Sequence, residues 1–293
     1  MLTLADAFPD ITRRREPLAP YTHLRIGGPA EFFIQPRTVD ELRAVLRFCQ
    51  QQKVPLRMLG GGNNLLVKDD PVPGAVMRLN GPDFEFVEVA GNTVRAAGGT
   101  RLYDLISGAV KAGLGGLETL VGLRGSVGGS VRCNVGDRTG EIGASVRRVA
   151  VLHDDASEHV RARDELTFGD HVSDIDEPVI LWVEFELTPT QPEILLKRMR
   201  RAWAMRKAHE PLSFQAAVRM FRDPPGQAAA TLIERAGLTK SRSGAAEVSE
   251  RNANYVVAHP GTTARDVLKL IDTVRSRVKE HAGVTLIQEL NVW

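Results

Sequence analysis

The sequence contains only two cysteines, Cys49 and Cys133, in 293 residues. They lie far apart and match neither a Cys-x-x-Cys motif nor a Cys/His spacing, so neither a disulfide framework nor a zinc site is indicated. We therefore expect no metal site. Few cysteines of this kind are typical of proteins in a reducing compartment, and we expect a cytoplasmic location.

The sequence also lacks long hydrophobic runs and an excess of charge of one sign. Its N-terminal residues, MLTLADAFPDITRRR, carry acids early, which predicts neither a signal peptide nor a membrane-spanning helix. Lys and Arg number 38, against 36 Asp and Glu. This balance gives no electrostatic field that favours nucleic acid or an anionic membrane, and we expect neither as a partner.

What the chain does have is a regular alternation of helical and strand-like patterns. TVDELRAVLRFCQQQK predicts an amphipathic helix that Thr38 and Glu41 cap, and short strands with glycine turns follow it. FEFVEVAGNTVRAAGG and VRRVAVLHDDASEHVRAR read as hairpins, and EPVILWVEFEL as a buried strand. Further helices and a closing strand, VTLIQELNVW, occupy the last third. The length and these patterns predict three lobes, residues 1–82, 83–189 and 190–293.

The helix pattern PEILLKRMRRAWAMRKAHEP is rich in basic residues. Such a helix is more often a solvated face than a phosphate-binding one, since long basic side chains cover apolar surface with their stems. Tyr103 and Trp203 stand at helical spacing with apolar residues, so we expect both to be packing anchors.

Two glycine-rich segments, LGGGNN and GLRGSVGGS, are candidate binding loops. Without a Cβ, backbone N–H groups can approach a phosphate closely. Neither segment matches the GxGxxG pattern of dinucleotide folds, and each alone fits a tight turn equally well. Two such segments together favour a pyrophosphate ligand. The stretch EPLSFQAAVRMFRDPPG has the composition of a functional loop, with Arg219 at its centre.

Six motifs occur in the order found in UDP-N-acetylenolpyruvoylglucosamine reductases (MurB). They are YTHLRIGGPAEFF, LGGGNNLLV, GLETLVGLRGSVGGSVRCNVG, LIERAGL, AAEVSERNANYVV and LIQEL. Over nearly its whole length the chain resembles the shorter form of this family. The resemblance implies an α+β fold, in which a two-lobed FAD-binding unit of the vanillyl-alcohol-oxidase (PCMH) type, residues 1–82 and 83–189, precedes an α/β substrate lobe, residues 190–293. It also implies FAD, NADPH and a nucleotide-sugar substrate of peptidoglycan precursor synthesis.

The resemblance assigns FAD contacts to the two glycine-rich segments. The residues at the matching positions are Gly60, Gly61, Gly62, Asn63, Asn64, Leu65, Gly125, Ser126, Gly128, Gly129 and Asn134. Arg124 replaces a family proline and Val135 a family alanine beside them. We therefore expect FAD to bind, but more weakly than in the family.

In the family, a serine protonates the carbon of the substrate while an arginine and a glutamate polarise its carboxylate. Glu289 matches the glutamate, but Arg219 stands at the serine position, after Val218 in place of a glycine. His171 stands at the arginine position and lacks the guanidinium fork. Because an arginine holds its proton far above neutral pH, the resemblance predicts that the reduction is impaired or lost.

Two alternatives remain open. One is an active reductase in which another residue, such as Ser173 or Ser213, has become the acid. The other is a flavoprotein that acts on another substrate. Ser173, Arg222 and Asp223 are the further candidates for substrate binding. Ser249 and Glu250 have the chemistry of a helix or turn cap, although the resemblance places their segment beside the substrate, and the sequence leaves the oligomeric state open.

Overall fold

The computed structural model describes residues 2–137, 139–211 and 216–293 and divides the chain into two compact units. The first unit comprises Met1–Arg14, Glu31–Gly61 and Pro73–Met205, and the second comprises Arg15–Ala30, Gly62–Val72 and Arg206–Trp293. The bounds of the three predicted lobes stay a prediction. Among the described residues, no helix is both long and apolar enough to cross a membrane.

The helices and strands follow one another in a mixed order along the chain. The α-helices of the described residues are α1 (Leu4–Ala7), α2 (Val39–Gln52), α3 (Leu102–Lys111), α4 (Val127–Arg132), α5 (Pro192–His209), α6 (Ala229–Arg235) and α7 (Ala264–Ala282). The strands up to residue 152 are β1 (Thr12–Pro17), β2 (Pro29–Ile34), β3 (Leu56–Met58), β4 (Leu65–Leu66), β5 (Val72–Met77), β6 (Val87–Ala90), β7 (Thr93–Ala97), β8 (Leu114–Gly115), β9 (Gly136–Asp137), β10 (Gly140–Glu141) and β11 (Val146–Leu152). The later strands are β12 (Glu158–Ala162), β13 (Phe168–Gly169), β14 (Val172–Ser173), β15 (Val179–Glu186), β16 (Thr188–Pro189), β17 (Ala216–Arg219), β18 (Arg242–Ser243), β19 (Ala246–Val248), β20 (Tyr255–Ala258) and β21 (Asn291–Val292).

Helix α2 forms as the amphipathic pattern predicted. The Thr38 hydroxyl accepts a hydrogen bond from the Glu41 N–H, and this cap satisfies one of the donors left open at the start of a helix. The apolar positions at helical spacing, Leu42, Val45, Leu46 and Cys49, are all buried. They pack in one hydrophobic core of the first unit with residues such as Ile34 and Leu152.

The first unit also contains a five-stranded sheet of order β12-β11-β15-β7-β6, and residues of this sheet pack in a second hydrophobic core. Both predicted hairpins are confirmed, since β6 pairs with β7 across Gly91 and Asn92, and β11 pairs with β12. Strand β15 lies between β11 and β7, and its alternate residues pack in two different cores, with Val179 and Leu181 in one and Ile180 and Val183 in the other. Its sequence is therefore apolar on both faces. A separate sheet has the order β1-β2-β5-β3, and its strands β3 and β5 are parallel.

The second unit is built on the sheet β17-β20-β19-β18 and on helices α6 and α7. The prediction of a loop around Arg219 is wrong, because Arg219 is the last residue of strand β17. Ala217 and Val218 are buried there against β20, and a segment without glycine or proline can form a complete ladder with its neighbour. Ser213, a candidate acid, lies outside the described residues.

Three further expectations differ from the structure. VTLIQELNVW is not one continuous strand, because Gln288 forms an isolated bridge with Phe221 whereas β21 pairs with β4. Tyr103 and Trp203 are not packing anchors, since they are 62% and 51% exposed on helix faces that the cores do not cover. On α5, the basic residues Lys197, Arg198, Arg200, Arg201 and Lys207 are exposed as the solvated-face interpretation predicts, but Arg206 is buried.

Candidate functional site

The two glycine-rich segments approach each other within the first unit. A Cβ on Gly60 would lie 2.8 Å from the Ser126 hydroxyl oxygen and 4.0 Å from the Cα atom of Gly129. Ser126 caps helix α4, because its hydroxyl accepts a hydrogen bond from the Gly129 N–H at 3.3 Å. A larger residue at position 60 would therefore push the two segments apart.

The N–H groups of the two segments differ in their availability. Those of Gly128 and Gly129 already donate, to the Gly98 carbonyl oxygen at 2.8 Å and to the Ser126 hydroxyl. By contrast, the N–H groups of Gly60, Gly61 and Gly62 donate no hydrogen bond to any residue that the structure describes. A run of such donors is the arrangement that binds a phosphate, so Gly60 to Gly62 fit the pyrophosphate of FAD. Gly128 and Gly129 contribute close backbone packing instead.

The first glycine-rich segment belongs to the second unit from Gly62 onward. Gly62 has a φ of +63°, and a Cβ there would collide with the Tyr21 carbonyl oxygen. The Asn64 side-chain amide donates to the Glu289 carbonyl oxygen at 3.3 Å. Leu65 is buried in strand β4, which pairs with β21. Asn64 therefore links this segment to the chain around Glu289, whereas Asn63 is only partly buried.

Asn134 supports the site from inside the first unit. Its side chain is fully buried, and its amide donates to the Glu141 carboxylate at 2.7 Å and to the Gly169 carbonyl oxygen at 2.8 Å. Its amide oxygen accepts from the Gly143 N–H at 3.0 Å. These bonds use both amide hydrogens, so Asn134 orders the surrounding loops.

His171 and Ser173 also lie in the first unit. His171 occupies the turn between β13 and β14 with a φ of +52°, and its Nε2 atom is 3.8 Å from the Asp170 carboxylate. The Ser173 hydroxyl donates to the Arg132 carbonyl oxygen at 2.9 Å and accepts from the Ile175 N–H. The hydroxyl proton of Ser173 is therefore engaged by the backbone.

Arg219 forms ion pairs with two carboxylates in the second unit. Its Nη2 atom is 2.8 Å from the Asp223 Oδ2 atom, and its Nε atom is 3.2 Å from the Glu289 Oε2 atom. Burial alone would lower the pKa of Arg219, but Glu289 and Asp223 outweigh burial and raise this pKa above its ordinary value. Arg219 therefore stays protonated and is not a proton donor.

A buried asparagine holds the segment that carries these charges. The Asn254 side chain accepts from the Phe221 N–H at 3.0 Å and donates to the Phe221 carbonyl oxygen at 2.7 Å. The Met220 N–H donates to the Asn254 carbonyl oxygen, and the Glu289 N–H donates to the Met220 carbonyl oxygen. The backbone of Met220 thus pairs with Asn254 through its N–H group and with Glu289 through its carbonyl oxygen, and this pairing brings Glu289 close to Arg219. The sequence reasoning missed Asn254, although it lies within the motif AAEVSERNANYVV.

The other proposed substrate contacts have structural partners of their own. Asp223 accepts from the Ala229 N–H at 2.8 Å with one oxygen, while the other faces Arg219. The Arg222 Nε–H is buried and has no hydrogen-bond partner among the residues described. The Ser249 hydroxyl accepts from the Arg251 N–H at 3.2 Å, which confirms its predicted role as a turn cap. Glu250 is exposed beside Lys240.

The structure adds Tyr255, Arg206 and Glu210 to the charged cluster that Arg219, Asp223 and Glu289 form. Tyr255 lies directly opposite Arg219 in the antiparallel pair of β17 and β20. The buried Arg206 approaches Glu210, with 3.9 Å between the Nε and Oε1 atoms. Burial, followed by the Glu210 carboxylate, raises the pKa of the Tyr255 phenol. The strand pattern ANYVVAH would have placed Tyr255 on a sheet, but its partner strand is not evident from sequence.

Comparisons with known proteins cover both units. Residues 30–160 match the family model of an FAD binding domain, and residues 210–293 match that of the UDP-N-acetylenolpyruvoylglucosamine reductase C-terminal domain. UDP-N-acetylenolpyruvoylglucosamine reductase 2 of Symbiobacterium thermophilum is 37% identical over 287 residues, which are 97% of this chain and 93% of that protein. The reductase of Moorella thermoacetica is 37% identical over 279 residues, 95% and 92% of the two chains. The crystal structure of the MurB reductase from Thermus caldophilus superposes with a TM-score of 0.83 at 36% identity and covers 96% of this chain and 99% of its own.

Proposed function

Because the chain belongs to the UDP-N-acetylenolpyruvoylglucosamine reductase family, we propose that it binds FAD and reduces the enolpyruvyl ether of that nucleotide sugar, with NADPH as the source of electrons. Its fold is α+β, with an FAD-binding domain of the PCMH type before the MurB C-terminal domain. The reaction would supply a precursor of peptidoglycan.

The observation that carries the proposal is the run of N–H groups at Gly60, Gly61 and Gly62, which donate to no described residue. These groups would hold the pyrophosphate of FAD, and bound FAD would supply the hydride. Of the other candidates, Ser126, Gly128 and Gly129 would keep the neighbouring backbone close to Gly60. Asn134 would order the loops around them.

Arg219 supplies the guanidinium that position 171 lacks. The family uses an arginine and a glutamate to polarise the substrate carboxylate, and here Arg219 and Glu289 form such a pair. A guanidinium has five N–H donors in a fork that matches a carboxylate. In this proposal Arg219 therefore binds the substrate carboxylate rather than protonating the substrate.

We further propose that turnover is slower than in relatives that retain the serine and arginine. General acid catalysis contributes about 10²–10⁴-fold to rates, so any group that replaces the serine of position 219 less effectively lowers turnover. Substitution of His171 for the arginine also removes a bidentate carboxylate contact.

A flavin spectrum and an NADPH assay test this function. We expect the purified protein to show flavin absorbance after incubation with FAD and desalting, and to oxidise NADPH only when the nucleotide sugar is added. A family member that retains the serine and arginine, assayed alongside, should turn over faster. A protein that takes up no FAD contradicts the proposal. A flavin-loaded protein that neither binds nor reduces the nucleotide sugar indicates another substrate.

A further inference from the structure

Tyr255 lies beside the ion pairs of Arg219, and its hydroxyl is available to a ligand. Residues directly opposite each other in an antiparallel pair point to the same face, with Cβ atoms about 4.5–5.5 Å apart, and Tyr255 is the partner of Arg219 in this register. Its hydroxyl forms no hydrogen bond with any residue in the described part of the chain. A partly buried tyrosine hydroxyl normally has a partner, so this one is suited to a ligand or a water molecule.

We propose that Tyr255 donates the proton to carbon in this reduction, in place of the serine that the family uses. The inference rests on the proposed function, because it assigns a role within the same reaction. It is carried by the position of the hydroxyl, by its lack of a partner among the described residues, and by the charges of Arg219 and Glu289 around it.

The electrostatic surroundings suit a neutral donor. Burial raises the pKa of the Tyr255 phenol, and the carboxylates of Glu210 and Glu289 raise it further, so the O–H bond remains intact throughout the neutral range. A serine hydroxyl is likewise neutral at these pH values. The guanidiniums of Arg219 and Arg206 act in the opposite direction and stabilise the phenolate that forms when the proton leaves.

The other candidate acids are less suitable. Arg219 holds its proton because two carboxylates surround it. The Glu289 carboxylate is already engaged in an ion pair with Arg219, with 3.2 Å between the Oε2 and Nε atoms. Ser173 donates its proton to the Arg132 carbonyl oxygen. Within the described ranges, the Tyr255 hydroxyl is engaged in no such bond.

The reaction balances with Tyr255 in this role. Bound FAD, reduced by NADPH, would supply a hydride to one carbon of the enolpyruvyl double bond. The carbon next to the carboxylate then gains a proton as the Tyr255 O–H bond breaks and a C–H bond forms. The phenolate regains a proton from water, so the enzyme returns to its starting state.

The test compares Tyr255→Phe with Tyr103→Phe. Both changes remove one hydroxyl, but Tyr103 is exposed on helix α3 of the first unit, whereas Tyr255 belongs to the second unit. Stopped-flow absorbance would follow two half-reactions separately without oxygen, namely flavin reduction by NADPH and flavin reoxidation by the nucleotide sugar. We expect Tyr255→Phe to slow reoxidation about 10²-fold or more, with flavin reduction and sugar affinity unchanged. Tyr103→Phe should match the wild type in both.

Each other outcome overturns the inference in a recognisable way. Reoxidation in Tyr255→Phe at the wild-type rate leaves the proposed function standing and removes Tyr255 from it. A parallel loss of FAD binding, sugar affinity and melting temperature indicates a structural role. A wild-type protein whose flavin the sugar never reoxidises overturns the proposed function and this inference together. Should Tyr255→Phe fail to fold, a fluorinated tyrosine at this position keeps the packing and makes the phenol more acidic. A reoxidation rate that does not respond to this change contradicts the proposal.

Discussion

At the scale of single residues, the chemistry of the site depends on the groups that share the charge of Arg219. Asp223 and Glu289 both contact this guanidinium, and Tyr255 lies opposite it. Any substitution that removes Arg219 alone leaves two carboxylates close together without this counter-charge, and like charges at such distances repel. Restoring a serine at this position therefore requires a change at Asp223 as well.

We predict that the triple variant Arg219→Ser, His171→Arg and Asp223→Asn reduces the nucleotide sugar faster than the wild type. It restores a neutral hydroxyl and a guanidinium at the family positions, and the amide introduced at position 223 can still accept from the Ala229 N–H through its oxygen. Val218 should stay unchanged, because it is buried in the core and a glycine there would leave a cavity.

Steady-state NADPH oxidation with flavin-loaded protein measures this gain. The control combines Arg219→Ala with His171→Arg and Asp223→Asn, since it makes the same charge changes but supplies no hydroxyl. Adding Tyr255→Phe to the triple variant should have little effect, because the new serine would donate the proton. A triple variant that binds FAD and the sugar but is no faster than the control contradicts the prediction.

Glu118 should make stability depend on pH. Burial alone would raise its pKa, but hydrogen bonds from the Gly116 N–H at 2.6 Å and from Arg198 at 3.0 Å outweigh burial and lower it. Its stabilisation is therefore full above the ordinary carboxyl pKa of 4.5 and is lost as the pH falls through the lowered value. We expect Glu118→Gln to reduce the free energy of unfolding by about 1–3 kcal/mol at pH 7, and by less as the solution becomes acidic.

Urea unfolding at neutral and acidic pH checks this dependence. Glu158→Gln serves as the matched control, because the half-exposed Glu158 forms a surface ion pair with Arg43 and should contribute less than about 1 kcal/mol. An equal loss of stability for Glu118→Gln at both pH values would show that the carboxylate charge is not what matters.

At the scale of elements, strand β17 depends on one side chain from the turn before β20. Asn254 is 2% exposed, and it both accepts from and donates to the backbone of Phe221. These hydrogen bonds from Asn254 hold the chain beyond the end of β17, where Met220 and Phe221 pair with the segment that carries Glu289. The distance between Arg219 and Glu289 is thus set by backbone pairing that Asn254 maintains.

We predict that Asn254→Asp lowers the free energy of unfolding by about 2–4 kcal/mol. The change removes the amide donor and buries a carboxylate in its place, which leaves the Phe221 carbonyl oxygen unsatisfied. Asn92→Asp, in the exposed turn between β6 and β7, is the control and should be nearly neutral. Chemical denaturation monitored by tryptophan fluorescence would measure both. A similarly small change in the free energy of unfolding for the two variants would mean that the hydrogen bonds of Asn254 to Phe221 are not needed for stability.

At the scale of the whole molecule, FAD should stabilise the folded chain. A ligand that binds only the native state adds about 2.7 kcal/mol at a concentration of 100 times its Kd, which corresponds to a rise of about 5 °C in melting temperature for a protein of this size. We predict such a rise when FAD is added to protein freed of flavin. Calorimetry in the presence and absence of FAD measures it.

Gly60→Val links this stabilisation to the glycine-rich segments. The new side chain would meet the Ser126 hydroxyl, so it should reduce both FAD content and the shift in melting temperature. Gly91→Ala is the control, because Gly91 lies in an exposed turn with a φ of +58°, where a Cβ would meet no described atom within 4 Å. It should cost some stability yet keep the full FAD shift. An unchanged shift in Gly60→Val would place the cofactor elsewhere.

The sequence by itself determined the local structure and the family. Spacing of apolar residues and a Thr38 cap predicted α2, Gly91 and Asn92 predicted a hairpin, and six ordered motifs identified the family, because each of these signals is contained in a short stretch of chain. Tertiary structure decided that Arg219 belongs to a strand, that it meets Glu289 and Tyr255, and that VTLIQELNVW divides between two partners. These contacts join segments that are far apart in sequence, and strand pairing depends on which backbone donors and acceptors meet in the folded chain. Local sequence patterns therefore do not predict which strands pair.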